Sequence, residues 1–303
     1  MIRGGAIGDF ILTLPALKTL RDAYSAAHIE ILGYAHIAAL AEGRFYADAV
    51  RSIEYGALSR FFARGAELPG DLSRYFAGFD LIVSYLFDPD LIFRNNLERA
   101  GACEIITGPG KLSDEGHAAL QLARPMMIDL ELELQTTSAV IHPSVADREF
   151  AEQFLRDLPE PIFAIHPGSG SGRKNWPLPK WIELGNRLLL SGGSLLLVSG
   201  EADETQAAKL RSAWPPSQVR EARGLPLTHL AALLERCAHF VGHDSGISHL
   251  AAAVGAHCIL LFGPTDPAIW APTNLNVRVL RAPGGNLAAL SVDSILSALA
   301  PSG

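Results

Sequence analysis

Apolar positions along the chain fall into two alternating periods. Short apolar runs of strand length occupy residues 28–34, 49–53, 80–86, 104–107, 162–166 and 194–199. Between them lie stretches with helical spacing: Ile11, Leu14, Leu17 and Leu20 first, then residues 72–77, 91–100, 146–158, 178–190, 203–214 and 227–236. Strand followed by helix, repeated, predicts βαβ units and a mostly parallel sheet. Pro15 falls within the first helical stretch, where it is tolerable in the first turn only. Residues 110–145 show no clear period and are left unassigned. The Pro159-Glu160-Pro161 run is a stiff break, so the expected organisation is two doubly wound, Rossmann-like domains, 1–158 and 159–303, facing a central cleft. In open α/β sheets ligands sit beyond the carboxyl ends of the strands, which places the expected site in that cleft.

The densest signal is residues 241–267, VGHDSGISHLAAAVGAHCILLFGPTDP. An apolar strand over 239–241 runs into Asp244 and Ser245, both good N-cap residues. Ile247, Leu250, Ala251 and Val254 then mark a helix that Gly255 stops. Free N–H groups and the positive end of the helix dipole, with no Cβ at Gly246, make this turn a seat for phosphate. The plain alternative is an ordinary capped helix.

Composition narrows the field. The 303 residues are 49% hydrophobic, enough for two cores, and 25 basic against 32 acidic side chains give a net charge of −7, which argues against a general nucleic-acid binder. Cys103, Cys237 and Cys258 are odd in number and far apart, suggesting neither a disulfide framework nor a zinc site and favouring a reducing cytoplasm. No signal-peptide pattern or membrane-length apolar run is evident. Met1-Ile2-Arg3 leads straight into a glycine turn, leaving room for only a stub of a first strand.

Several residues carry candidate chemistry, each with a structural alternative. Lys174 follows a loop containing Gly168, Gly170 and Gly172, flexible enough to bring a point charge onto phosphate oxygens, or merely a surface turn. It is not a Walker loop, because Arg173 intervenes before Lys174 and Asn175 replaces the required Ser or Thr. Glu201 follows a strand end where ribose hydroxyls would sit, or is simply a first-turn acid. His249 lies one turn beyond Ser245 and is either a donor to substrate or a satisfied core histidine. Gly8-Asp9 opens a helix after the first glycine turn, so Asp9 is a general base or an N-cap. Arg3 occupies the first glycine position of a dinucleotide fingerprint and disfavours nicotinamide. Asp88-Pro89-Asp90 spells a short metal-binding pattern, but a turn is favoured. Residues 58–76 mix Arg60, Arg64 and Arg74 with Phe61, Phe62, Tyr75 and Phe76, suited to a phosphorylated, lipid-linked glycan or to packing on a sheet.

Taken together, GGAIGDFILTLPAL at 4–17, HPGSGSGRKNWP at 166–177 and the 241–267 run through FGPTDP resemble family 9 glycosyltransferases, the ADP-heptose:lipopolysaccharide heptosyltransferases. The resemblance implies a GT-B fold with the ADP-sugar donor on the C-terminal domain and a lipid-linked or core oligosaccharide acceptor on the N-terminal one. It implies donor contacts from Gly168, Ser169, Lys174, Glu201, Asp244, Ser245, Gly246 and His249, with Gly8 and Asp9 facing the acceptor. Asp9 matches the family's catalytic base and Lys174 its phosphate-contacting lysine, for direct displacement with inversion. No metal, no other cofactor and no nucleic acid is implied. Location is expected in the cytoplasm, with peripheral contact at the inner face of the inner membrane. Alternatives are a nucleotide-sugar binder without catalysis, a member using another donor or acceptor, and, more remotely, an epimerase.

Overall fold

The computed structural model describes residues 1–300. It divides into two compact units, Met1–Thr137 and Ser138–Gly303.

In the first unit, elements run β1 (Ile2–Arg3), α1 (Ile7–Ala23), β2 (Glu30–Gly33), α2 (Ala35–Ala38), β3 (Ala49–Ser52), α3 (Gly70–Ala77), β4 (Leu81–Ser84), α4 (Ile92–Arg99), β5 (Glu104–Thr107) and α5 (Ala118–Asp129). The strands form one parallel five-stranded sheet ordered β3-β2-β1-β4-β5. Although β1 is only two residues long it occupies the centre. Leu32 N–H donates to the Met1 carbonyl at 2.9 Å and Tyr85 N–H to the Ile2 carbonyl at 3.0 Å.

Pro15 does not lie in the first turn of α1, as expected, but in its interior. The helix tolerates it because Phe10, Ile11, Leu14, Ala16, Leu17 and Leu20 are all buried. Packing on several sides outweighs an intrinsic penalty of about 3 kcal/mol for an interior proline. Its principal helical neighbour is α5, which was unassigned in the sequence and also carries an interior proline, Pro125. The aromatic and basic run at 58–76 resolves mainly into packing: Phe61 and Phe76 are buried against Phe93, and Phe62 stacks on Phe93 at 4.7 Å. Asp88 forms the expected turn, its carboxylate accepting from the N–H groups of Phe93 at 3.2 Å and Arg94 at 2.9 Å. Among the described residues no group of three His, Cys, Asp or Glu side chains is placed to hold a metal ion.

The second unit opens with α6 (Val145–Leu155) and continues through β6 (Ile162–His166), α7 (Leu178–Leu190), β7 (Ser194–Ser199), α8 (Glu204–Ala213), β8 (Val219–Arg223), α9 (Leu227–Glu235), β9 (His239–His243), α10 (Gly246–Ala253), β10 (His257–Phe262), α11 (Pro267–Trp270), β11 (Val277–Arg281) and α12 (Val292–Leu299). The six strands are parallel in the order β11-β10-β9-β6-β7-β8. Counted within the unit this is the Rossmann order, with the switch point between β6 and β9. Trp176, Trp181, Leu184, Leu195, Leu197 and Val241 belong to one buried cluster.

The division falls between Thr137 and Ser138, earlier than the 158/159 boundary expected from the proline break. The reason is α6, which packs on α9 and is tied to it by a bidentate Arg148–Glu235 pair at 2.7 and 2.9 Å. Among the described residues no helix is long and apolar enough to cross a membrane.

Candidate functional site

Two strand exits flank the switch point of the second sheet. The β6 exit carries His166-Pro167-Gly168 and the loop to Lys174, and the β9 exit carries His243-Asp244-Ser245. Lys174 closes a short 3₁₀ turn, Gly172–Lys174. From there its ammonium reaches Asp244 Oδ2 at 2.6 Å. The same oxygen accepts the Thr265 hydroxyl at 2.8 Å. Asp244 therefore does not cap α10, as one expectation had it; Ser245 does, its Oγ accepting from Ser248 N–H at 3.3 Å. Gly246 and Ile247 follow as the first helical residues, where N–H groups have no intrahelical acceptor. A lysine ammonium and a helix N-terminus thus stand at neighbouring strand exits, a combination that holds anionic oxygen.

The frame behind these groups is a histidine that sequence reading passed over. His243 is fully buried. Its Nε2 accepts from Trp176 N–H at 2.8 Å, which leaves Nδ1 to carry the proton and donate to the Gly168 carbonyl at 3.4 Å. Burial lowers its pKa to about 3, only partly opposed by the Gly168 carbonyl, so the ring is neutral. The Ser248 hydroxyl donates to the His243 carbonyl. His166, likewise buried, pairs its Nδ1 with the Val198 carbonyl at 3.1 Å, and desolvation lowers its pKa.

Of the other donor-side candidates, Ser169 places its hydroxyl 2.8 Å from the Ser171 carbonyl and 2.5 Å from Asn175 Oδ1, bracing the loop. Glu201 is exposed in the 3₁₀ turn after β7. The acid that approaches the β6 exit is Asp203: a Cβ added to Gly168 would stand 2.0 Å from Asp203 Oδ1. The carboxylate thus packs directly on the Gly168 backbone, and a larger residue there would displace it. His249 is buried within α10. His243 and Thr265 were within reach of the sequence, as the residue preceding the Asp-Ser-Gly turn and the hydroxyl of FGPTDP, but nothing in their spacing announces their partners.

In the first unit, Gly8 and Asp9 lie in the first turn of α1, past the β1 exit. Asp9 is not the N-cap; Ala6 is, and Asp9 three residues on reaches back so that Oδ2 accepts Ala6 N–H at 3.0 Å. Gly5, at φ +97°, turns the backbone around this carboxylate. Arg3 Nη2 donates to the Asp9 carbonyl at 3.1 Å and lies 3.9 Å from Oδ1. Thr13 Oγ1 donates to the same carbonyl at 2.8 Å. The Asp9 side chain remains 39% exposed, enough for a substrate hydroxyl to approach.

Two parallel α/β units of this kind define the GT-B class. The solved glycosyl transferase family 9 structure from Veillonella parvula superposes with a TM-score of 0.80 at 19% identity, covering 98% of this chain and 94% of that one. The Escherichia coli ADP-heptose lps heptosyltransferase II gives 0.77 at 18% identity, covering 98% and 97%. The model of glycosyltransferase family 9 (heptosyltransferase) matches residues 117–298, and the chain belongs to that family. Lipopolysaccharide heptosyltransferase 1 of Escherichia coli is 33% identical over 157 residues, 50% of this chain and 49% of the relative. Lipooligosaccharide heptosyltransferase 2 of Haemophilus influenzae is 32% identical over 146 residues, 46% and 42%. The matches thus span about half the length of these curated relatives.

Proposed function

We propose that this chain is an inverting glycosyltransferase that moves heptose from ADP-L-glycero-D-manno-heptose to a saccharide of the lipopolysaccharide-core type, at the cytoplasmic face of the inner membrane. The observation that carries the donor side is the Lys174–Asp244–Thr265 group beside the N-terminus of α10. Family membership and the names of the curated relatives support the choice of sugar and acceptor.

In this reading the diphosphate lies against Lys174 and the N–H groups of Gly246 and Ile247. Lysine has three donor hydrogens, so its ammonium can hold Asp244 and a phosphate oxygen together. Asp244, fixed by Thr265, keeps the ammonium aimed and offers its second oxygen to a sugar hydroxyl. Glu201 and Asp203 flank the ribose side. Asp9 accepts the proton of the acceptor hydroxyl as its oxygen bonds the anomeric carbon from the face opposite ADP. The anomeric C–O bond breaks, its electron pair stays on the β-phosphate, and the fixed positive charge stabilises the departing dianion.

The test is calorimetric titration of ADP, ADP-heptose and UDP-sugars, followed by transfer to a purified core acceptor. ADP-selective binding with formation of the heptosylated product supports the assignment. A folded protein that prefers UDP, or binds ADP-heptose without ever transferring it, sinks it.

A further inference from the structure

Beside the turn that carries Lys174, the second unit holds a crevice of about 490 Å³ lined by Arg173, Gly263, Pro264, Arg281, Gly284 and Gly285. It opens past the carboxyl ends of β10 and β11, one strand removed from the β9 exit. Two guanidiniums line it and no carboxylate does. This is a local concentration of positive charge on a chain whose net charge is −7.

Arg173 and Lys174 are consecutive in a 3₁₀ turn, where successive side chains point about 120° apart. The two cations therefore serve different places: Lys174 turns to Asp244, and Arg173 lines the crevice. Arg281 ends β11 and faces Asp266 at 3.7 Å, with both side chains open to water at 62% and 47%. An ion pair that long and exposed holds its guanidinium weakly. Glycine supplies the floor. Gly284 and Gly285 adopt φ +59° and +72°, and nothing would lie within 4 Å of a Cβ on Gly284, so the floor is bare backbone with open space above it.

We infer that this crevice is a second anion subsite, which takes a phosphoryl group carried on a saccharide and is separate from the diphosphate seat at Lys174. Two guanidiniums match the charge and the several acceptor oxygens of a phosphate monoester, where one would satisfy a carboxylate. Gly263 and Pro264 run directly into Thr265, which bonds Asp244, so an occupant of the crevice abuts the group around Lys174. Naming the carrier a saccharide rests on the glycosyltransferase reading; the anion site itself does not.

Titration calorimetry with inorganic phosphate, glucose 6-phosphate, glucose and ADP tests this on the wild type and on Arg173→Gln, Arg281→Gln and Lys174→Ala. Both arginines are exposed, so the variants are expected to fold, which their melting curves check. Glucose 6-phosphate should bind the wild type more tightly than phosphate or glucose. Each arginine substitution should weaken it about tenfold or more, the usual loss of a charge-assisted hydrogen bond, and leave ADP within about twofold. Lys174→Ala should show the reverse pattern. Parallel loss of ADP in the arginine variants would make the crevice part of the donor seat and overturn the inference. Absence of saturable glucose 6-phosphate binding, or equal affinity for free phosphate, would overturn it as well. A failed heptose-transfer assay with this binding pattern intact would count against the proposed reaction alone.

Discussion

Lys174 Nζ stands 2.6 Å from Asp244 Oδ2, a pair separated by 70 positions in sequence and joined because β6 and β9 are neighbours in the sheet. Both side chains are mostly covered, at 29% and 12% exposure. Removing one partner leaves the other charge poorly compensated. Lys174→Ala should weaken ADP by about ten- to a hundredfold, given the worth of a charged hydrogen bond. Asp244→Asn, which keeps shape and removes the carboxylate charge, should affect ADP much less than sugar transfer. Titration and turnover measured on both variants would expose the opposite ranking if the roles are reversed.

For Asp9 the expected result is a separation of binding from chemistry. Asp9→Asn retains an oxygen for Ala6 N–H, so the melting temperature should move little. Loss of a general base lowers turnover by about 10²- to 10⁴-fold. Donor affinity should stay unchanged. Steady-state kinetics beside donor titration checks both halves: a wild-type rate in Asp9→Asn would remove Asp9 as the base, and absence of turnover in the wild type itself is the outcome expected of a binding protein without catalysis.

Acid should destabilise the second unit through His243. Its folded pKa, near 3, lies below the ordinary value of 6.5. Between those limits the unfolded chain binds the proton and the folded chain does not, so stability falls as pH drops below 6.5 and is unaffected by this group above it. The slope is on the order of 1 kcal/mol per pH unit. His166, whose pKa is also lowered by burial, acts in the same direction. Denaturant titrations at pH 7 and pH 5 should show the loss, and His243→Gln, though less stable at pH 7, should lose less on acidification. An equal loss in both proteins would assign the acid sensitivity elsewhere.

Gly185 offers a control remote from any ligand. A Cβ there would stand 2.3 Å from the Trp214 ring, inside the core. Gly185→Ala should destabilise by about 1–3 kcal/mol through overpacking, while ADP affinity in the folded protein stays unchanged. Unfolding curves paired with titration at low temperature would check both halves.

Much of the framework was legible because apolar runs end at strong punctuation. The bounds expected for β5, β6, α7 and β7 are those observed, each flanked by Gly, Pro or a polar turn. Less legible were β8 and β11, the edge strands of the second sheet, in which arginines interrupt the apolar positions. α5 was hidden for another reason, since Pro125 and burial on several sides blur its period. At the candidate site, Ser245 as cap could be read from local chemistry. That Asp244 instead turns toward Lys174 and Thr265 could not, because the pairing is created by strand order rather than by spacing. Asp203 was not legible for a similar reason: it and Glu201 are both acids just after β7, and only the close approach of the Gly168 backbone sets Asp203 apart.

The His243 imidazole grips the chain at Gly168 on one side and at Trp176 on the other. One ring on a central strand therefore staples both ends of the segment that carries Ser169, Arg173 and Lys174. Such a segment behaves as a short tethered loop rather than a free lid. Its end-to-end closure entropy is already spent in folding, so a ligand meets only the residual freedom of the intervening residues. Ordering it on ligand arrival is correspondingly cheap.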